Sequence, residues 1–306
     1  MAQENPARLA HDAATTRRIG ILLLIVTATG WSLGWSATKV LLQSWPPLFA
    51  RGLAGMVASF GLAALALGRG ESLRVPRAGV PRLVFAAFTN VFAWMGFSAL
   101  SLNWVSVPVA ILLVFTMPIW ATLFAWPLAG QPPTGRGIAA LLLGFAGVVV
   151  LLSGQDFTGS NHVALGIALA LGAAILFALG GVLNRAPHPL PPVAATAWQV
   201  GLGCLPMVTL GLAFEHPAFS AITPLGLAMF GYVTVIGMGV CYLTWFATLR
   251  RLPPATASVG TLLIPLLGIV SSALLIGEPL GLRELIAVVL TLGGVTLALT
   301  GTPRDA

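Results

Sequence analysis

The sequence predicts an all-α integral membrane protein: ten transmembrane helices forming two inverted-topology five-helix repeats, with the N and C termini cytoplasmic. Three observations predict it. First, the 306 residues are 58% hydrophobic and only 8% charged, with a mean hydropathy of +0.97, whereas a soluble globular domain carries about 25% charged residues. Second, the apolar stretches are mostly 18 to 25 residues long and separated by short loops. That length crosses a hydrocarbon core of about 30 Å, and no strand-length alternation suggests a barrel. Third, Thr116-Met117-Pro118, Gly130-Gln131-Pro132 and Gly147 recur 147 residues later as Leu263-Ile264-Pro265, Gly277-Glu278-Pro279 and Gly294. Such spacing signals a duplication.

Residues 1–17, with polar Gln3, Glu4, Asn5 and Asp12, read as a cytoplasmic tail. The apolar run that follows is too long for the core of a signal peptide. The first repeat, residues 18–153, begins with a span over 18–42 that contains Gly30, Gly34 and Lys39. The second, 46–68, opens on Pro46-Pro47, residues suited to a helix start, and carries Arg51 one turn later. The third, 80–101, aligns Asn90, Trp94, Phe97 and Ser101 in one stripe; the fourth, 105–127, contains Pro118; the fifth, 135–153, is glycine-rich at Gly144 and Gly147. After a linker at 154–163 the second repeat occupies 164–300, with spans over 164–185, 191–214, 224–248, 255–276 and 281–300, and a tail at 301–306. Aligning Gly20 with Gly166 pairs Gly34 with Gly180 and Lys39 with Arg185, and Pro191-Pro192 opens the seventh span as Pro46-Pro47 opens the second.

Five is odd, so the second copy enters the membrane upside down, and a pathway is expected between the halves. With the N-terminus inside, twelve of the 15 basic residues fall on the inner side, Lys39 and Arg283 fall outside, and Arg51 lies within a span. That is the positive-inside signature. The net charge of +7 therefore reads as loops facing an anionic leaflet, and no nucleic-acid partner is expected. Cys204 and Cys241 lie in spans and form neither a disulfide framework nor a metal spacing, so no metal or cofactor is expected.

Several residues carry chemistry at membrane depth. Pro118 and Pro265, at equivalent positions, are expected to kink their helices as hinges, leaving the carbonyls of Val114 and Thr261 without their usual donors, with Thr116 nearby to help. Trp45, Trp104, Trp126 and Trp120 read as interfacial anchors. Trp31, Trp35, Asn90, Trp94, Thr116, Trp198, Gln199, Tyr242 and Trp245 lie deeper. Together they suggest a substrate cavity of ring faces with a few hydrogen-bonding groups. Arg51 either snorkels to the interface or, with Lys39, faces the pathway and attracts a carboxylate or phosphate. All eight acids lie in tails, loops or helix ends, leaving Glu278 as the best placed proton carrier and facilitated movement as the expectation. No nucleotide-binding loop appears. The glycines of the fifth and tenth spans form either a scaffold or a weak homodimer contact.

Gly30-Trp31-Ser32 with Lys39, Pro46-Pro47 with Arg51, Pro118 and the Gly-x-Pro boundary resemble the drug/metabolite transporter superfamily, specifically its EamA-type ten-helix exporters. The likeness covers about residues 18–300. It departs from the family at Gln131, where a Glu is usual and Glu278 keeps it in the second copy. The resemblance implies a multi-pass exporter of small metabolites in the inner (plasma) membrane, working by alternating access through a central cavity, with the fifth and tenth spans peripheral. The chain's overall character is similar to YddG-type exporters of aromatic and other amino acids, which implies amino acids as partners besides the lipid bilayer. Proton-coupled export of other metabolites or lipophilic drugs, and a structural or assembly role, are the alternatives. An enzyme is not expected, because no paired carboxylates, His cluster or activated nucleophile lies at membrane depth.

Overall fold

A computed structural model describes residues 6–130, 132, 134–153, 161–184 and 190–299; Gln131, Arg185, most of the expected linker and the C-terminal tail lie outside them. Among the described residues all regular structure is helical. Among these residues eight helices are long and apolar enough to cross a membrane: α1 (Thr15–Leu41), α2 (Pro47–Gly68), α3 (Arg77–Ser101), α4 (Val107–Leu128), α5 (Gly135–Leu152), α6 (His162–Leu183), α7 (Pro192–Glu215) and α8 (Pro224–Leu249). After them come the short α9 (Pro254–Gly260), the apolar 14-residue α10 (Leu263–Ile276) and the 18-residue α11 (Leu282–Leu299). The helix that carries α1 already begins at Pro6, so residues 6–17 extend it where the sequence suggested a tail.

Local chemistry explains the boundaries. Pro47 and Pro192 stand at the first helical position, where the missing N–H is no loss. Thr134 and Thr223 cap their helices by accepting from Gly137 and Gly226 at 3.2 and 2.9 Å. Gly130 and Gly277 close α4 and α10 with φ of 63° and 70°, a left-handed conformation that favours glycine.

Small residues set the packing, because lipid supplies little hydrophobic force between helices. Helices α2 and α7 run antiparallel so closely that a Cβ on Gly52 would stand 2.7 Å from the Val208 amide nitrogen, while Ser59 donates to the Ala197 carbonyl at 2.9 Å. Helices α5 and α11 cross likewise: a Cβ on Gly294 would lie 2.7 Å from the Ala140 carbonyl oxygen, and one on Gly147 2.9 Å from the Thr291 nitrogen. Helix α1 meets α8 through the Thr27 and Thr244 hydroxyls, 2.7 Å apart, and α10 through Ser32, which donates to the Ile264 carbonyl at 2.9 Å. Helix α6 lies along α3, with Gly172 against Phe97 and Gly180 against Asn90. Each pair joins a helix before residue 153 to one after residue 161, so the two parts of the chain interleave. The first half of α4, Val107–Val114, is buried throughout.

Two apolar helical paths are interrupted shortly before a proline. Helix α4 breaks at Phe115–Thr116, and a break at Thr261–Leu262 separates α9 from α10. This corrects the expectation of prolines inside continuous helices. Pro118 and Pro265 occupy the first turn of the helix after each break, where amide donors are spare. The Thr261 carbonyl accepts from the Ile264 N–H at 3.0 Å, and the Leu113 carbonyl accepts from both the amide and the hydroxyl of Thr116, at 3.2 and 2.6 Å. Helices α3 and α8 each contain a π-helical stretch, Phe88–Phe97 and Tyr232–Val240.

Candidate functional site

Widened π turns are common where a helix wall serves a site, and both π stretches border one cavity of about 750 Å³. Its volume lies within the roughly 300–1,000 Å³ usual for small-molecule pockets. Helices α1 to α4, α6 to α8 and α10 contribute to its wall; among the described residues none comes from α5 or α11. The lining runs from Arg51 and Leu102, near one end of their helices, to Leu190 and Pro192 at the start of α7.

The wall is mostly aromatic. Trp31 donates its indole N–H to the Gly237 carbonyl, inside the α8 π stretch, at 2.9 Å. Its ring stands edge-on to Tyr242 with centroids 5.6 Å apart and 6.0 Å from that of Trp245. Across the cavity Trp94 packs against Phe177 at 4.7 Å and edge-on to Phe115 at 6.3 Å. Polar groups are few. Asn90 donates to the Gln199 side-chain oxygen at 3.4 Å, a long bond that leaves both amides with spare capacity. Arg51 supplies a guanidinium.

Of the residues singled out in the sequence, Trp31, Trp35, Arg51, Asn90, Trp94, Gln199, Tyr242 and Trp245 line this cavity. The others stand elsewhere. Thr116 is buried at the α4 break and accepts from the Trp120 indole at 3.1 Å. Trp198, 38% exposed, donates to the Leu73 carbonyl at 2.9 Å. Pro118 and Pro265 lie beyond the lining, although their neighbours Phe115, Met117, Thr261 and Ile264 belong to it. Trp45, read as an interfacial anchor, is 8% exposed, packs edge-on against Phe49 and Phe230, and donates to the Ala218 carbonyl at 3.2 Å. Buried rings and a protein acceptor make it a core residue.

Sequence reasoning passed over Phe177, Met95, Met238 and Phe246, which also line the cavity. Phe177 did have a signal: the register that pairs Gly34 with Gly180 also pairs Trp31 with Phe177.

The glutamates hold helix ends. Glu71, just after α2, accepts from the Ala194 amide in the first turn of α7 at 3.0 Å. Glu215, at the end of α7, accepts from the Leu48 and Phe49 amides in the first turn of α2 at 3.1 and 2.9 Å. The antiparallel pair is thus capped reciprocally at its two ends, with a carboxylate at each positive helix terminus. Glu278 accepts from the Val107 amide at the start of α4 at 2.7 Å. Burial raises the pKa of this carboxyl above the usual carboxylate range, with the Val107 N–H and the Lys39 charge opposing the shift. The Lys39 ammonium donates to the Leu102 carbonyl and, at 3.3 Å, to that of Val105. Lys39 and Glu278 therefore brace one loop, the lysine at the Leu102 and Val105 carbonyls and the glutamate at the first amide of α4. Among the described residues no cluster of three or more His, Cys, Asp or Glu could hold a metal ion.

Such an arrangement can enclose a small solute between ring faces, a cation and two amides. A profile of the EamA-like transporter family matches residues 18–153 and again 164–300. The uncharacterized transporter YvbV of Bacillus subtilis (strain 168) is 28% identical over 91% of both chains. A probable amino-acid metabolite efflux pump of Escherichia coli (strain K12) is 26% identical over 94% of this chain and 96% of its own. One crystal structure, 22% identical, covers 93% of this chain and 96% of its own with a TM-score of 0.64, a likeness of fold.

Proposed function

The chain belongs to the EamA-like transporter family, and from that membership we propose that it exports small metabolites, foremost amino acids including aromatic ones, across the inner (plasma) membrane. The carrying observation is the aromatic cavity, bounded by α1 to α4 from one half and α6 to α8 and α10 from the other. Transport proceeds by alternating access: the cavity opens to one face at a time as the halves rock against each other.

Two five-helix repeats of inverted topology, with both termini cytoplasmic, are the architecture of this mechanism. The double match of the family profile supports it, as do the paired breaks before Pro118 and Pro265 and the antiparallel pairs α2–α7 and α5–α11. In this reading Pro118 and Pro265 hold their helices at the breaks so that the segments swing, and the buried Thr116 braces the first break. Helices α5 and α11 are the scaffold, which favours a monomer over a glycine-mediated dimer. Among the described residues the ionisable groups in the wall are Arg51 and Tyr242. Neither titrates easily near neutrality, so movement is facilitated rather than proton-driven.

Reconstitution into liposomes with labelled amino acids, with and without a pH gradient, tests both parts. Efflux of aromatic amino acids is expected, unchanged by the gradient. Trp94→Ala should lower it by an order of magnitude without altering the size-exclusion profile. Uniform inactivity toward the panel in correctly inserted protein, or flux that vanishes without the gradient, would reject the corresponding part.

A further inference from the structure

One charged group in the cavity is left without a counterpart. Arg51 lies in α2 and lines the wall; among the described residues its guanidinium makes no hydrogen bond or ion pair. The ionisable groups close enough to feel its charge are Cys204 and Tyr242, a thiol and a phenol that are neutral near pH 7. Among the described residues, by contrast, Lys39 is committed to carbonyls of the α3–α4 loop, and Arg82 donates to Asn184 at 3.2 and 2.9 Å. Glycine packing holds Arg51 where it is, because Gly52 and Gly55, one and four residues on, press α2 against α7 and prevent the helix from turning its cation away. An enclosed cation lacking an anion is costly. Its natural complement is an anion delivered by the solute.

We propose that Arg51 is the carboxylate anchor of the cavity, and that the cargo is a small monocarboxylate with an apolar body, amino-acid zwitterions included. The inference rests on the transport reading above and narrows it. A guanidinium binds a carboxylate through two parallel N–H bonds, while the solute's apolar part lies among Trp31, Trp94, Phe177 and Trp245. A phosphate monoester, nearly dianionic, would need a second cation, and among the described residues Arg51 is the one basic group in the wall. The position is asymmetric: the corresponding residue of the second half, Thr196, also lines the cavity but is uncharged. The solute is therefore oriented with its carboxylate toward the α2 side.

Binding to the detergent-purified full chain, read by quenching of tryptophan fluorescence, tests the anchor with L-phenylalanine, 3-phenylpropanoate, L-phenylalaninamide and phenyl phosphate. The two carboxylates are expected to bind at least about ten-fold more tightly than the amide, the scale of a charge-assisted hydrogen bond. Arg51→Gln should erase that preference while leaving the amide's weak binding unchanged, and Arg51→Lys should restore part of it. If Arg51→Gln does not fold, the ligand series on the unaltered protein still decides. Amide binding equal to phenylalanine binding, tighter binding of phenyl phosphate than of 3-phenylpropanoate, or an undiminished carboxylate preference in a folded Arg51→Gln would overturn the proposal. Flux in liposomes separates the two levels: transport without a carboxylate preference rejects the anchor alone, whereas absence of any flux rejects the transport reading beneath it.

Discussion

Glu278 shows how one side chain's role is decided by what it touches. In sequence it was the best placed proton carrier; in the fold its carboxylate caps the first turn of α4 at Val107 and lies outside the cavity wall. Burial raises its pKa above the ordinary 4.5, so the folded state holds this proton more tightly than the unfolded chain does. The sign follows: the stabilisation is complete in acid, below the unfolded value, and declines as pH rises through the raised pKa. Glu278→Gln keeps an acceptor for the Val107 N–H and removes the titration. Thermal unfolding followed from about pH 4.5 to neutrality should therefore show the variant gaining on the original protein as pH rises. A gap that stays constant would place the titration elsewhere. The reciprocal pair Glu71 and Glu215 makes a companion case: replacing either with alanine should cost about 1 kcal/mol, the usual value of a helix cap. Thermal unfolding of the single variants checks this. None of these caps was legible in the sequence, because each carboxylate meets an amide more than 120 residues away. Trp45 was misread for the same reason, since its acceptor, Ala218, lies in a distant loop.

Helices repeat the lesson with a different balance. The starts at Pro47 and Pro192 and the ends at Gly130 and Gly277 could be read directly, because proline and glycine act on their own backbone. What each proline does depended on more. An interior proline and one opening a new helix have the same local sequence, and the distinction lies in whether the preceding turn continues. At Phe115–Thr116 and Thr261–Leu262 it does not. The π stretches of α3 and α8 carried no sequence signal, since an extra residue per turn is accommodated by neighbouring helices rather than specified by side-chain period. The α5–α11 crossing gives a test with an internal control. A methyl on Gly294 would meet the Ala140 carbonyl oxygen at 2.7 Å, whereas one on Gly293 meets nothing within 4 Å. Gly294→Ala should lower thermal stability by about 1–3 kcal/mol, as overpacking does, and Gly293→Ala should be neutral. Equal behaviour of the two would mean that this face is not the contact.

At the level of the whole molecule, the pairs α1–α8 and α6–α3, with α2–α7 and α5–α11, stitch the two halves through each other. Half the chain alone would expose every one of these faces, so the halves are not expected to fold separately. Orientation is open to direct measurement. Cysteine replacements at Arg69 and Arg250 should react with a membrane-impermeant thiol reagent from the same side, and one at Gln43 from the other; the native Cys204 and Cys241 are buried and contribute little background. Labelling of Arg69 and Arg250 positions from opposite sides would remove the inverted arrangement and, with it, the proposed rocking mechanism.

The sequence by itself determined that the chain is a bundle of membrane helices, where most of those helices begin and end, and that its two halves share one pattern, because hydropathy, proline and glycine act over a few residues of contiguous chain. Most of the cavity's aromatic wall was also visible, since Trp31, Trp94, Tyr242 and Trp245 are conspicuous at membrane depth. Only the tertiary structure decided which polar groups face that cavity and which hold the frame. Glu71, Glu215 and Glu278 are bound to helix starts and Lys39 to the α3–α4 loop, while Arg51 faces the cavity. The physical reason is that a charge in a membrane protein takes its role from the nearest unsatisfied partner, and that partner is supplied by folding rather than by sequence neighbours.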